Sequence, residues 1–313
     1  MRGATQEATE VMMKSISEGT WRQYDKPIRE WREYCRKEGI SFCETSTAHV
    51  LKFFSGILEN VKSFSTANTY RAVLSLISGN ELGSNTTVSR FFKGLAKLKP
   101  KKYKYDVTWD PKEVLDELAT WYPHEGLSLE ALTKKLVTLL ALITGQRIQT
   151  LTAIDIQNIN LEKEPLRIKI TEPIKTSGRS EFQPILEIPS FSEKPELCVA
   201  SVLRTYITKT RALRPGNRDK GHLFITYKKP HHQASSQTIS RWIRVTLEKS
   251  GIDTTIFSAQ STRHASTSAA ARKGVNIEVI RRAAGWSSSS SVFARFYNRP
   301  IANTTTFASS ILQ

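Results

Sequence analysis

The chain has 313 residues, is 39% hydrophobic, and carries 46 Lys and Arg against 29 Asp and Glu, a formal net charge of +17. That size supports about two domains with real cores, and the charge excess calls for a polyanionic partner, nucleic acid foremost. Three cysteines without a CxxC pair (Cys35, Cys43, Cys198) argue against a disulfide framework or a cysteine zinc site.

No basic-then-apolar leader opens the sequence. The longest apolar run, Leu136 to Ile143, is too short to cross a bilayer. A soluble, intracellular protein without a membrane partner is expected. The adjacent His231 and His232 lack a second ligand pair and are assigned to a loop rather than a metal site.

The first hundred residues follow helical periodicity. Trp21, Tyr24, Ile28 and Trp31 line one face of a helix that Thr20 can cap and Gly39 can end, with a kink or late start expected at Pro27. Further helices fit Ala48 to Asn60, Ser65 to Ser78 and Thr87 to Leu98. The last turns Val88, Phe91, Phe92, Leu95 and Leu98 inward and shows Arg90, Lys93 and Lys97 outward. These elements make a small bundle with a basic exterior, residues 1–99. Then KLKPKKYKYDVTWDP (Lys97 to Pro111) holds five lysines in eight residues and no apolar period, so residues 100–111 are expected to form an interdomain linker. Its Lys97, Lys99, Lys101, Lys102 and Lys104 suit a DNA backbone, a nuclear import signal, or simple solvation.

Residues 112–313 are mixed. Helices fit Pro111 to Trp121, Ser128 to Thr144, Glu196 to Thr210, Ser236 to Ser250, Ser261 to Arg272 and Asn276 to Ala283. LRIKIT (Leu166 to Thr171) and FQPILEIP (Phe182 to Pro189) flank a turn-rich tip as a hairpin, and His222 to Thr226 is an extended piece. The expected fold is mainly α with a small antiparallel β-sheet.

No acidic cluster resembles a two-metal nuclease site, so a covalent nucleophile is the other route to DNA chemistry. A tyrosine phenolate serves, because a phosphotyrosine bond retains the energy of the broken backbone bond. The phosphate in flight then needs fixed cations, for which arginine is suited. The departing oxygen needs a proton donor. Two arginines, a general acid and a tyrosine are therefore required together.

TGQRIQTL (Thr144 to Leu151) resembles the first arginine motif of the tyrosine recombinases. IKTSGRSEFQPI (Ile174 to Ile185) resembles their β-hairpin lysine, and AQSTRHASTSAA (Ala259 to Ala270) their HxxRH box. AAGW (Ala283 to Trp286) and VFARFY resemble the box before the nucleophile and the nucleophile itself. The resemblance covers most of the chain and is strongest from Thr144 to Pro300. It implies a helical core-binding domain ahead of an α+β catalytic domain, basic residues of both domains clamping a duplex, and no metal or nucleotide cofactor. It implies that Tyr297 attacks the scissile phosphate, Arg147 and Arg263 grip its non-bridging oxygens, Lys175 protonates the leaving 5′-oxygen, and Trp286 buttresses the phosphate or donates its indole N–H.

Three departures stand out. Gln260 occupies the position where the family usually has His or Lys, and an amide cannot transfer a proton. Thr150 replaces a common acidic residue. Trp286 to Tyr297 spans 11 residues, longer than usual for the family, through the run Ser287 to Ser291. That run is expected to let Tyr297 swing between engaged and withdrawn positions, or to be an inert insertion.

STRHASTSAAARKGVNIEVIRRAAGW and FYNRPI are similar to recombinases of eukaryotic mobile elements, DIRS-like retrotransposons or Cryptons. That implies a nuclear enzyme integrating or excising element DNA at terminal repeats, as a homo-tetramer on synapsed sites. The apolar tail Thr304 to Gln313 would dock on a neighbouring protomer or fold back. A type IB topoisomerase-like activity and a domesticated DNA-binding protein without turnover are the alternatives.

Overall fold

The computed structural model describes residues 5–43, 45–78, 81–100, 104–174, 177, 183–214, 220–286 and 299. The chain divides into two compact units, Met1–Tyr103 and Lys104–Gln313.

The first unit holds α1 (Gln6–Lys14), α2 (Glu18–Glu38), α3 (Thr47–Ile57), α4 (Phe64–Ile77), the one-turn α5 (Glu81–Ser84) and α6 (Thr86–Leu98). Ser17, not Thr20, caps α2: its hydroxyl accepts from the Thr20 N–H. The helix runs unbroken past a buried Pro27, so no late start occurs, and it closes on Gly39 at φ 66°. A glycine there avoids the Cβ clash of the left-handed region. The core gathers Trp31, Phe53, Phe54, Tyr70, Val88 and Phe92. The Trp31 indole N–H donates to the Phe42 carbonyl at 2.8 Å. Burial, then a hydrogen bond to Glu30, holds the Tyr70 phenol above its ordinary range. Leu98, expected inward, is 77% exposed, because α6 ends there, one turn beyond its last buried position, Leu95. Helix α1 buries none of its residues, and within the helical first hundred residues neither it nor α5 was given bounds of its own.

Charge is distributed unevenly in this unit. On α2, Arg22 pairs with Glu18, Arg29 with Asp25 and Arg36 with Glu33. On α6, Arg90, Lys93 and Lys97 are exposed and make no ion pair among the described residues. Lys99 is used differently. Its ammonium donates to the carbonyls of Leu58 and Val61, the chain ends left open where α3 stops.

The second unit contains α7 (Pro111–Ala119), α8 (Leu129–Thr144), α9 (Ile148–Thr152), α10 (Val199–Arg211), α11 (Ser236–Lys249), α12 (Ser261–Arg272) and α13 (Ile277–Ala283). Helix α8 is buried nearly all round and packs against α10, α11 and α12, which accounts for its run of aliphatic residues. Strands β1 (Ile159–Asn160), β2 (Leu166–Lys169) and β3 (Ile185–Ile188) form an antiparallel sheet in that order. Leu166 pairs with Ile188 and Lys169 with Ile185. Alternation follows: Leu166, Ile168, Leu186 and Ile188 face the core, while Arg167 and Glu187 pair outside at 2.9 Å. Among the described residues the fold is mainly helical with this small sheet, as the sequence implied. The two-residue edge strand β1 was too short to show an alternation.

Residues 104–110, assigned to the linker, belong to the body of this unit. Tyr105 and Trp109 are each 3% exposed. The Tyr105 hydroxyl meets the Ser258 hydroxyl at 2.7 Å, and the Trp109 indole donates to Ser261 at 2.8 Å. Two aromatics bury enough apolar surface to hold the segment down despite the lysines around it. No described helix is long and apolar enough to cross a membrane.

Lys135 on α8 is fully buried and donates to the Trp121 carbonyl at 2.6 Å. Burial lowers its pKa to about 8. An unfolded lysine titrates near ~10.4, so between these values the unfolded chain holds more protons and stability rises with pH. Denaturant unfolding from pH 8 to 10 should therefore show a stability gain in the wild type that Lys135→Met lacks.

Candidate active site

Helix α8 stops at Gly145, whose φ of 57° turns the chain away from the helix axis. Arg147 follows as the N-cap of α9, its carbonyl accepting from the Thr150 and Leu151 N–H groups. This three-residue turn between helices holds the backbone of Arg147 fixed. Its side chain is partly exposed, and no hydrogen bond or ion pair engages its guanidinium among the described residues.

Arg263 lies in the first turn of α12 and is fully buried. Its Nη1 donates to the Gly145 carbonyl at 2.5 Å. Its guanidinium carbon lies 4.1 Å from the centre of the Trp286 ring. A cation over an indole face out of water is worth about 2 kcal/mol. Two motifs 118 positions apart in the chain thus meet through one carbonyl.

Trp286 follows α13. The Gly285 N–H donates to the Arg282 carbonyl and the Trp286 N–H to the Arg281 carbonyl, with Gly285 at φ 65°. This closing turn swings the indole back over Arg263. Gln146 binds the same region: its amide donates to the Ala283 carbonyl at 2.6 Å. Nothing in the sequence marked Gln146, since its partner lies 137 residues away.

Of the residues singled out from the sequence, Arg263 and Trp286 meet directly, and Arg147 stands two residues past the Gly145 carbonyl that holds Arg263. Gln260 is the N-cap of α12, partly exposed, with no capping bond from its side chain. His264 turns away and stacks edge-on against Tyr105 at 4.9 Å between ring centres. Thr150 is buried in α9. Arg90, Lys93, Lys97 and Lys99 belong to the first unit, and Lys104 donates to the Ser258 hydroxyl at 3.0 Å in the second.

Lys101, Lys102, Lys175 and Tyr297 lie outside the described residues, as do the serine run and the tail. Their neighbours are informative. The Ser177 N–H donates to the Ile174 carbonyl at 2.9 Å, and the Ser177 hydroxyl accepts from the Ile174 N–H at 2.8 Å and donates to Gln183 at 3.0 Å. These bonds bracket Lys175. Beyond Tyr297, the Arg299 N–H donates to Ser268, and Arg272 donates to the Arg299 carbonyl, both at 3.1 Å. Ser268 and Arg272 lie on α12, the helix of Arg263.

The family model described as the phage integrase family matches residues 110–303. The chain belongs to the phage integrase family. These are the tyrosine recombinases, a class defined by DNA cleavage and religation.

Solved structures are similar at the level of fold. XerH site-specific recombinase, bound to palindromic difH substrate in a post-cleavage complex, is 16% identical with a TM-score of 0.61, covering 93% of this chain and 77% of that one. A lambda integrase tetramer bound to a Holliday junction is 15% identical with a TM-score of 0.56, covering 90% and 76%. The Tn1549 transposon integrase (residues 82–397) with circular intermediate DNA is 12% identical with a TM-score of 0.56, covering 91% and 98%. No match is found among curated proteins.

A Cβ at Gly145 would stand 3.4 Å from the Thr267 methyl, an ordinary contact, so only the left-handed backbone resists substitution. Gly145→Ala should cost about 1–2 kcal/mol in urea unfolding and slow any reaction that uses Arg147 and Arg263.

Proposed function

We propose that this recombinase cuts and rejoins DNA through a 3′-phosphotyrosine. The observation that carries the reading is the convergence of Arg263, Trp286 and the Arg147 turn at the end of α8. Tyr297 Oη attacks the phosphorus and loses its proton to solvent, the bond to the 5′-oxygen breaks, and Lys175 gives that oxygen a proton. Arg147 and Arg263 offset the charge gained by the non-bridging oxygens. Because Arg263 is fully buried, the segments covering it must shift before a phosphate can meet it.

Gln260 fits a hydrogen-bonding role toward the phosphate, which leaves proton transfer to Lys175. Neither a metal nor a nucleotide is required. The resemblance of α12 and α13 to enzymes of eukaryotic mobile elements supports integration or excision of such an element, in the nucleus, by a homo-tetramer on paired terminal repeats. The serine run gives Tyr297 the slack to engage in only some protomers at a time.

A second reading, a DNA-binding protein of the same fold without turnover, is favoured by Gln260 alone. A covalent-adduct experiment separates the two. A duplex is selected from a random-sequence pool by binding, nicked near the cleavage position to trap the product, and analysed on denaturing gels. A protein–DNA adduct should form with the wild type and vanish in Tyr297→Phe. No adduct with the wild type would leave the binding-only reading.

In the first unit the phosphate backbone meets the basic face of α6. Each phosphate contact contributes roughly −0.9 to the slope of log affinity against log salt. Replacing Arg90, Lys93 and Lys97 together by Ala should reduce that slope by about 2–3 and weaken binding similarly across sequences.

A further inference from the structure

We infer that Gln146 is a positioning residue for the phosphate site, its side-chain amide tying the turn that carries Arg147 to the end of the helix that carries Trp286. The inference rests on the recombinase reading of Arg147 and goes beyond it, because no resemblance assigns Gln146 a role.

Gln146 is 4% exposed. A buried amide needs partners, and its NH₂ faces a carbonyl, so the donor end is fixed by chemistry. The carbonyl it meets is the right one. Where α13 ends, the carbonyls of Ile280, Arg281 and Arg282 accept from Ala284, Trp286 and Gly285. Ala283 comes next, at the end of the helix, where the chain supplies no further turn. Gln146 fills that place at 2.6 Å from across the fold.

The backbone around Gln146 is fixed on both sides. The preceding carbonyl, of Gly145, receives Arg263, and the following residue, Arg147, starts α9. A Cβ on Gly285 would lie 3.7 Å from both polar atoms of the amide, so the Trp286 turn sits directly against it. One side chain therefore spans the segments that carry Arg147 and Trp286, the two groups that the recombinase reading places at the phosphate. Small displacements of such groups are costly to rate.

A charge-neutral substrate distinguishes positioning from general support of the fold. Replacing one non-bridging oxygen by methyl at the scissile position gives a methylphosphonate, which carries one negative charge fewer throughout cleavage and depends less on a well-placed guanidinium. Single-turnover cleavage of the pool-selected duplex, as phosphodiester and as methylphosphonate, is measured for the wild type, Gln146→Leu, Gln146→Met and Arg147→Ala. Gln146→Leu should slow phosphodiester cleavage at least tenfold, leave methylphosphonate cleavage within threefold of wild type, and leave DNA affinity within twofold. Gln146→Met, which keeps the side-chain length without the donor, should show the same split even if Gln146→Leu melts early. Equal losses on both substrates, or no loss on either, would overturn the inference. If Arg147→Ala leaves phosphodiester cleavage intact, the recombinase reading of Arg147 fails instead.

Discussion

A guanidinium removed from water dictates much of the second unit. Arg263 is fully buried, and stripping a charge of its hydration costs several kcal/mol unless the surroundings compensate. Part of the compensation comes from a backbone carbonyl at the end of α8 and an aromatic face just beyond α13. Both must be in place at once. The left-handed glycines at the ends of these two helices, Gly145 and Gly285, are what allow the chain to deliver them. A buried arginine is thus less a product of the fold than a condition on it.

The same requirement explains which parts of the molecule were visible in the sequence. Helices with a strong apolar stripe, such as α6 and α11, announce themselves through Val88, Phe92 and Leu95 or through Ile239, Ile243 and Leu247. Arg147, Arg263 and Trp286 were legible because each stands in a short motif with neighbours of fixed type. Lys175 and Tyr297 were assigned from motifs in the same way and lie outside the described residues. Gln146 was not, since its role exists only once α13 has been brought alongside. Tyr105 and Trp109 were hidden for a different reason: lysines dominate the local composition, and two aromatics in a basic stretch leave no period. The cap of α2 shows the smaller error typical of helix ends, where Ser17 and Thr20 are both chemically able and only the backbone decides.

Net charge alone was a blunt guide to where a polyanion would bind. Much of the surface of α2 neutralises itself through pairs one turn apart, exposed and individually weak. Lys99 spends its charge on carbonyls at the end of α3. The cations of α6 have no such partner among the described residues, so in the first unit the open positive charge lies on α6 rather than on the more highly charged α2.

The backbone of Arg299, moored to Ser268 and Arg272, has a bearing on the unusual spacing ahead of it. Trp286 is held against Arg263 and Arg299 against α12, so any chain length between them has to join two fixed points. The entropy of such closure varies only with the logarithm of its length, and two extra residues in about a dozen change it by roughly 0.1–0.2 kcal/mol. Losing either anchor would therefore weigh far more on this part of the molecule than a change of one or two residues between them.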